Sequence, residues 1–327
     1  MSGQLSSLRK TTLCVLLCVA FSIGYATIVL AASNEEITYC YAEYPLERAG
    51  VALHLDRVVV DGVEPRKNIL LVHGVTYSSH EFDVDYRDYS LVRRLAREGY
   101  GVWRLDVAGF GRSGEVKDGF VPNSDYAAED INAAVETIVA ETGQDKIDVL
   151  GWSWGTITVG RFVAAWPEHV RKAVLYAPVL YGVGEFEVAE PFHHNTWEHS
   201  VEDFQRAPDG SIDESIADPV VVAVLSSNSW RYDRETSPNG GRRDVCVSEE
   251  TPLVDVAKIS VPTLLICGDK DPYIKSDRID AAIKELPEGS ALEVIKGGSH
   301  VVMLEKPYYR DFQERLIQFL SRDVATP

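Results

Sequence analysis

Residues 147–155 read IDVLGWSWG, a strand-like apolar run followed at once by the pattern G-x-S-x-G. A helical pattern begins in this turn and continues to about Trp166, and Pro167 then ends it because proline cannot extend a helix. A strand, a tight turn and a helix in this order are the context in which G-x-S-x-G exposes a reactive serine. We therefore predict that Ser153 is a nucleophile; the alternative is an ordinary strand-to-helix turn with an incidental serine.

The chain on both sides of this motif alternates short β-rich runs with helical patterns, which is typical of a mostly parallel sheet covered by helices. The predicted strands lie at residues 51–60, 68–73, 101–105, 147–150, 172–176, 263–267 and 292–295. The predicted helices around them lie at residues 90–98, 124–141, 154–166 and 308–320. The fold class predicted is α/β, with a mostly parallel central sheet flanked by helices.

A long interruption separates the strands at 172–176 and 263–267, more chain than a crossover needs. We interpret residues 181–260 as a mainly helical cap inserted into the sheet domain. The core of the domain is then predicted to consist of residues 33–180 and 261–327.

A serine hydroxyl becomes an effective nucleophile only when a base removes its proton, so a histidine and an acid are expected further along the chain. The sequence GDKDP at 268–272 places carboxylates directly after one predicted strand, and GSH at 298–300 places His300 directly after the next. The carboxyl ends of strands are where open α/β sheets build their sites. Serine, then carboxylate, then histidine is the chain order expected for this kind of sheet.

Taken together, these motifs resemble the capped α/β-hydrolase superfamily over about residues 51–320. In that family the loop pattern G-x-x-D supplies its last residue as the acid, which corresponds here to Asp271 and leaves Asp269 as a loop or capping residue. The resemblance implies an α/β-hydrolase fold and a catalytic triad of Ser153, Asp271 and His300. It implies a serine hydrolase that cleaves a carboxylic ester or related acyl bond through an acyl-enzyme.

The resemblance also implies an oxyanion hole made of backbone amides. One amide is that of Trp154, next to the nucleophile, and the other is that of Val75 in the sequence HGVT at 73–76, which resembles the family's oxyanion loop. His73 is then expected to be structural. The run DVAGFGRS at 106–113 resembles a further family loop, D-x-x-G-x-G-x-S, and we expect it to be structural too.

Three tryptophans are candidates for substrate binding: Trp152 beside the nucleophile, and Trp197 and Trp230 in the cap. Ordinary packing is the alternative for each of them. The cap also contains histidines, but without the helical spacing of a zinc site, so we predict no metal and no cofactor.

The same catalytic residues are also consistent with other activities. The elbow Gly-x-Ser-Trp-Gly resembles that of proline aminopeptidases, although the loop after His73 is not glycine-rich as theirs is. Carbon–carbon hydrolases and perhydrolases are further alternatives, and a non-catalytic binding protein with this fold is another, since fold alone does not determine function. Serine at the nucleophile position argues against dehalogenases and epoxide hydrolases, which use aspartate.

The composition restricts the partners. Asp and Glu number 50 against 32 Lys and Arg, a formal net charge of −18 that repels phosphate backbones and anionic lipid head groups. We predict a small-molecule acyl substrate and no nucleic-acid partner. The sequence does not indicate an oligomeric state.

The N-terminus has the pattern of an export signal: Arg9 and Lys10 precede an apolar stretch over residues 11–32 that ends in small residues. We favour a cleaved signal peptide; because the stretch is long enough to span a bilayer, an uncleaved membrane anchor is the alternative. Either interpretation places the hydrolase body outside the cytoplasm, periplasmic or extracellular, with membrane contact only if the segment is uncleaved.

Three cysteines follow this segment. Cys267 lies in an apolar run and is expected to pack as a small buried hydrophobe. Cys40 and Cys246 either pair as a disulfide or stay as two free thiols, because their spacing in the chain does not reveal their distance.

Overall fold

The computed structural model describes residues 37–322. Within them the strands are β1 (Tyr39–Arg48), β2 (Val51–Val60), β3 (Lys67–Val72), β4 (Tyr100–Asp106), β5 (Ile147–Trp152), β6 (Val170–Tyr176), β7 (Phe192–His194), β8 (Thr236–Pro238), β9 (Thr263–Gly268) and β10 (Ala291–Ile295). The helices are α1 (Leu91–Arg97), α2 (Ser124–Thr142), α3 (Trp154–Ala165), α4 (Pro219–Tyr232), α5 (Gly240–Val245), α6 (Ser276–Glu285) and α7 (Tyr309–Ser321). The segment predicted to direct export, residues 1–32, lies outside the described residues.

Eight strands form one sheet in the order β1-β2-β4-β3-β5-β6-β9-β10. The first two pairings, β1 with β2 and β2 with β4, are antiparallel, and every later pairing is parallel. The carboxyl ends of β3, β5, β6, β9 and β10 therefore lie along the same edge of the sheet. The predicted α/β class with a mostly parallel sheet is confirmed.

Both faces of the central strands are buried, as a parallel sheet requires. On β3, Ile69 and Leu71 face a core that contains side chains of α1 and α7, whereas Leu70 and Val72 face a second core that contains side chains of α2, α3 and α6. This alternation follows from the two-residue period of a strand. The uninterrupted apolar run that identified β3 in the sequence is thus explained by burial on both faces.

The helices begin and end at residues whose side chains or backbone preferences favour a helix end. The side chain of Asn123 caps the start of α2 by accepting hydrogen bonds from the amides of Asp125 and Tyr126, and Gly143 ends that helix with a φ of 66°. Glycine adopts this left-handed conformation without the steric cost that a side chain would add. The predicted end of α3 before Pro167 is also confirmed.

One strand of the eight-stranded sheet is absent from the sequence prediction. The hairpin that leads into the sheet starts with β1 at Tyr39, before the predicted leading strands at 51–60. Most side chains of β1 are exposed or only partly buried because it is an edge strand. It therefore lacks the apolar run by which buried strands are recognised.

The long connection between β6 and β9 contains helices α4 and α5, in the range predicted for a mainly helical cap. It also contains β7 and β8, which pair in an antiparallel ribbon that the sequence did not predict. This insertion is joined to the loops that follow β3 and β4. Arg234 donates to the backbone oxygens of Gly109 and Ser113, and the hydroxyl of Tyr77 donates to the backbone oxygen of Thr196.

The cysteines after the N-terminal segment are all free thiols in the structure. Cys40 is exposed and Cys246 is partly buried, which agrees with the alternative of two free thiols rather than a disulfide. Cys267 is buried on β9, as predicted. Within residues 37–322, none of the helices combines the length and the apolar character needed to cross a membrane.

Candidate active site

Ser153 occupies the turn between β5 and α3 with φ 57° and ψ −121°. A residue with a Cβ rarely adopts this backbone conformation, and such strain is typical of functional sites. The turn is held by the amide of Ser153, which donates to the backbone oxygen of Tyr176 at 3.0 Å. Its tightness requires glycine at 151, where a Cβ would lie 2.0 Å from the backbone oxygen of Gly155. The predicted strand, turn and helix are therefore present.

His300 and Asp271 meet at the carboxyl ends of β10 and β9. Nδ1 of His300 lies 2.7 Å from Oδ2 of Asp271, and both side chains are buried. Because a carboxylate only accepts hydrogen bonds, Nδ1 carries the proton and Nε2 is left with a lone pair. The other carboxylate oxygen of Asp271 accepts a bond from the amide of Tyr273 at 3.0 Å, which fixes its orientation.

The competing carboxylate has a different partner. Oδ1 of Asp269 accepts a hydrogen bond from the amide of Gly297 at 2.6 Å and so joins the loops after β9 and β10. The structure thus brings Asp271 to His300 and gives Asp269 the loop-capping position expected for it.

The electrostatics of His300 suit a base that must accept a proton. Burial by itself lowers the pKa of His300, but the charge of Asp271 and its hydrogen bond outweigh burial, so the pKa is raised above its usual value. Asp271 therefore stabilises the imidazolium form that a general base passes through.

Ser153 and His300 border the same cavity, whose volume is about 280 Å³. Its walls come from the ends of β3 and β5, the loop of His300, and the insertion at residues 199–204 and 242–246. Within the described residues, the hydroxyl of Ser153 has no hydrogen-bond partner. Contacts between a nucleophile and its base are commonly long until substrate is bound, so shared access to one cavity is the relevant geometric finding.

The two amides predicted for an oxyanion hole border this cavity as well. Val75 follows β3 and Trp154 is the first residue of α3. Among residues 37–322, neither amide has a hydrogen-bond acceptor. The loop of Val75 lies close to the nucleophile, since a Cβ at Gly74 would be 3.5 Å from Cβ of Ser153. Both amides are consequently available to a ligand oxygen next to Ser153.

The residues expected to be structural hydrogen-bond to the backbone of neighbouring loops. Nδ1 of His73 donates to the backbone oxygen of Gly74, and its Nε2 accepts from the amide of Val107. The carboxylate of Asp106 accepts from the amides of Ser79 and Arg112 and so holds its loop in place. The predicted structural roles of His73 and of the 106–113 loop are confirmed.

The three candidate tryptophans separate into two groups. Trp152 borders the cavity, is 4% exposed, and donates its indole N–H to the backbone oxygen of His300 at 3.1 Å. Trp197 and Trp230 do not occur among the described residues that border the cavity. They pack against each other with ring centroids 4.8 Å apart and are 55% and 37% exposed. The two rings form an outward-facing pair on the insertion, away from this cavity, and their role in substrate binding stays a prediction.

Several residues of the site were not identified from the sequence. Glu305 is buried, and its carboxylate accepts bonds from the amide of Ser299 and from the side chain of Gln205, which anchors the loop of His300. Burial raises the pKa of Glu305. No motif marks this glutamate, since its partners are distant in the chain or depend on how the loop folds.

Charged side chains on the cavity wall were also missed. Glu202 and Asp203 border it from the insertion, Arg242 borders it from α5, and Glu81 borders it from the loop after β3. Burial raises the pKa of Glu81 well above its usual value, and one of its carboxylate oxygens is buried without a hydrogen-bond partner among the described residues. The cavity wall therefore carries acidic and basic side chains as well as apolar ones. Within residues 37–322, no three His, Cys, Asp or Glu side chains are grouped as ligands for a metal ion.

Comparisons with known proteins identify the family of the chain. The family described as "Serine aminopeptidase, S33" matches residues 63–307. An "Uncharacterized carboxylesterase nap" of Bacillus subtilis is 24% identical over 280 residues, which cover 82% of this chain and 84% of the relative. A "Non-heme chloroperoxidase" of Burkholderia pyrrocinia is 27% identical over 255 residues, which cover 73% of this chain and 87% of the relative.

Among solved structures, an α/β-hydrolase fold protein from Chitinophaga pinensis superposes with a TM-score of 0.62 at 16% identity. The superposition covers 86% of this chain and 98% of the other. At this identity the likeness establishes the fold and nothing finer.

Proposed function

Because the chain belongs to the α/β-hydrolase family described as serine aminopeptidase, S33, we propose that it is a serine hydrolase that cleaves a carboxylic ester through an acyl-enzyme. The observation that carries the proposal is the contact of 2.7 Å between His300 and Asp271 beside the cavity that Ser153 borders. The names of relatives, among them a carboxylesterase and a lipase, support an ester as the substrate class.

In the proposed mechanism, Nε2 of His300 takes the proton of the Ser153 hydroxyl as its oxygen attacks the acyl carbon. Asp271 keeps the imidazole in the tautomer that has a free Nε2 and stabilises the imidazolium that forms. The amides of Val75 and Trp154 donate to the oxygen that becomes negative. The imidazolium then protonates the leaving alcohol, and water activated by the same histidine hydrolyses the acyl-enzyme.

The proposal is tested by covalent labelling with a fluorophosphonate and by a panel of nitrophenyl esters of increasing chain length. We expect labelling at Ser153, ester cleavage by the unmodified protein, and loss of both in Ser153→Ala. A cavity of about 280 Å³ should favour short or medium acyl chains. A protein that is neither labelled nor active would instead be a non-catalytic binder with the hydrolase fold.

An aminopeptidase is the second candidate because the carboxylates of Glu202 and Asp203 border the cavity and would attract a substrate ammonium group. Aminoacyl nitroanilides, compared with nitrophenyl esters of the same acyl size, discriminate the two activities. Cleavage of the anilides at the higher kcat/KM would favour the aminopeptidase.

We also propose that the protein is exported, since the basic residues and apolar stretch at the N-terminus have the pattern of an export signal. Cell fractionation and N-terminal sequencing of the recovered protein test this. Recovery from the cytoplasm with an intact N-terminus would contradict it.

A further inference from the structure

Arg242 is a cation on the cavity wall whose charge is not matched by an ion pair. It lies on α5 and is partly buried, and its guanidinium donates to three neutral oxygens: Oγ1 of Thr76 at 2.9 Å, Oγ of Ser237 at 3.2 Å and Oδ1 of Asn239 at 3.4 Å. Within residues 37–322, no carboxylate oxygen lies within 4.0 Å of it. Of its three nitrogens, Nε makes no hydrogen bond to the described residues.

The pKa of this group reflects the missing ion pair. Burial lowers the pKa of Arg242 to about 10, despite the more distant charge of Glu202, so the side chain is still cationic at neutral pH. Arg104 is the contrast, since its bidentate contact with Asp56 raises its pKa. Removing a guanidinium from water without a carboxylate partner costs free energy, unless another group of opposite charge binds it.

Arg242 lies near the amide proposed for the oxyanion hole. Its hydrogen-bond partner Thr76 directly follows Val75. One residue of chain plus one hydrogen bond spans no more than about 10 Å, so the guanidinium lies within that distance of the Val75 amide. One carboxylate on the cavity wall, that of Asp203, lies beside the imidazole instead. The Asp203 carboxylate accepts from the hydroxyl of Tyr273, whose ring packs edge-on against His300. The wall next to the oxyanion loop therefore carries a cation that forms no ion pair with the described residues.

We propose that Arg242 is a specificity-determining residue that binds a carboxylate carried by the acyl part of the substrate, a few bonds from the ester carbonyl. A guanidinium recognises a carboxylate through two parallel hydrogen bonds, which gives direction as well as attraction. The inference rests on the proposed esterase function and names its substrate class: monoesters of short dicarboxylic acids. The net charge of −18 repels anions from the protein as a whole, so a preference for an anionic ester requires a local cation.

The test compares monomethyl with dimethyl esters of succinate, glutarate and adipate, because each pair differs only in the free carboxylate. Methanol release measures both. We expect kcat/KM of the unmodified protein to favour the monomethyl ester of at least one acid by about tenfold to a hundredfold, the usual range for a hydrogen-bonded charge. Arg242→Met should abolish this preference while the dimethyl ester is still cleaved.

Arg243→Met is the matched control. Arg243 is the next residue on α5, is exposed, and lies over the ring of Phe120 at 4.3 Å rather than at the cavity. This variant removes the same charge from the same helix and should keep the preference. Arg242→Lys keeps the charge without the planar fork, and we expect it to keep a smaller part of the preference. It also serves as the test if Arg242→Met does not fold.

Three results would overturn the inference. The unmodified protein could cleave both esters equally well, Arg242→Met could lower both rates by the same factor, or Arg243→Met could abolish the preference as completely as Arg242→Met. The second result would mean that Arg242 only ties α5 to the oxyanion loop through Thr76. If no ester is cleaved, the proposed function fails separately, and calorimetric titration with glutarate decides the inference: binding that Arg242→Met abolishes supports it, and no binding by the unmodified protein ends it.

Discussion

The indole N–H of Trp152 and the hydroxyl of Tyr176 donate to one acceptor, the backbone oxygen of His300, at 3.1 and 2.9 Å. Trp152 directly precedes Ser153, and Tyr176 ends β6, so two neighbouring strands of the sheet hold the loop that carries the imidazole. The position of His300 relative to Ser153 is therefore set by the sheet and not by the loop alone.

Trp152→Phe removes one of these two donors and keeps an aromatic ring at the cavity. We expect kcat to fall by about threefold to tenfold with little change in KM, because a misplaced base affects the chemical step more than binding. Steady-state kinetics with a neutral nitrophenyl ester measure this. Combining it with Tyr176→Phe should lower kcat by more than the product of the single effects, since the carbonyl then loses both donors. An unchanged kcat in the double variant would contradict the positioning role.

The pH profile reports the pair formed by His300 and Asp271. Because the neutral imidazole is the base, kcat/KM should rise with pH through the pKa of His300, at a midpoint above the usual value of about 6.5. Asp271→Asn removes the charge that raises this pKa and leaves the burial that lowers it, so the midpoint should move to lower pH. The rate should fall by about 10⁴-fold, as it does when the acid of a serine triad is replaced by its amide.

Asp269→Asn is the control for this profile, since Asp269 lies on the same loop but bonds to the amide of Gly297. We expect a rate loss below about tenfold and an unchanged midpoint. If Asp269→Asn moved the midpoint and Asp271→Asn did not, the acid would be wrongly assigned.

The strained backbone of Ser153 predicts that a glycine variant is more stable than an alanine variant. Ser153→Ala and Ser153→Gly should both be inactive, but only glycine relaxes at a φ of 57°. Strain of this kind costs about 1–3 kcal/mol, more than the roughly 0.5–1 kcal/mol by which glycine usually destabilises a chain relative to alanine. Ser153→Gly should therefore have the higher free energy of unfolding, by about 1 kcal/mol in urea denaturation. A more stable alanine variant would mean that the turn is not strained in solution.

The buried pair of Arg104 and Asp56 predicts a pH-dependent stability. Burial alone would raise the pKa of Asp56, but His54 and Arg104 outweigh it and hold the pKa well below its usual value. A lowered carboxyl pKa stabilises the fold above the unfolded-state pKa, near 4, and this stabilisation is lost as pH falls toward the folded-state value. Asp56→Asn leaves the buried Arg104 with only its longer contact to Asp83, at 3.4 Å, so it should cost up to about 3–5 kcal/mol at neutral pH and less below about pH 4.

Asp85→Asn is the matched control for that measurement because Asp85 also pairs with an arginine, Arg93, but is 64% exposed. An exposed pair contributes about 0–1 kcal/mol, and we expect a loss in that range at every pH. Equal losses in the two variants would contradict the argument from burial.

Much of the framework was predictable from the sequence because its signals are local. The apolar run of β3, the glycines around Ser153 and the cap residues of α2 each act through neighbours in the chain, and all three elements form where they were predicted. The edge strand β1 and the ribbon of β7 and β8 were missed. Strands that bury little have no apolar run, and their formation depends on the partner strand.

For the candidate site, the sequence by itself determined which strand ends carry the serine, the carboxylate and the histidine, because parallel strands bring their carboxyl ends to one edge. The tertiary structure alone decided what surrounds them. It turned Trp197 and Trp230 outward, brought Arg242 to Thr76, and placed Glu305 behind the loop of His300. These contacts join residues that are far apart in the chain or lie in irregular loops. Their geometry depends on how the loops and the insertion pack onto the sheet, which no local sequence pattern indicates.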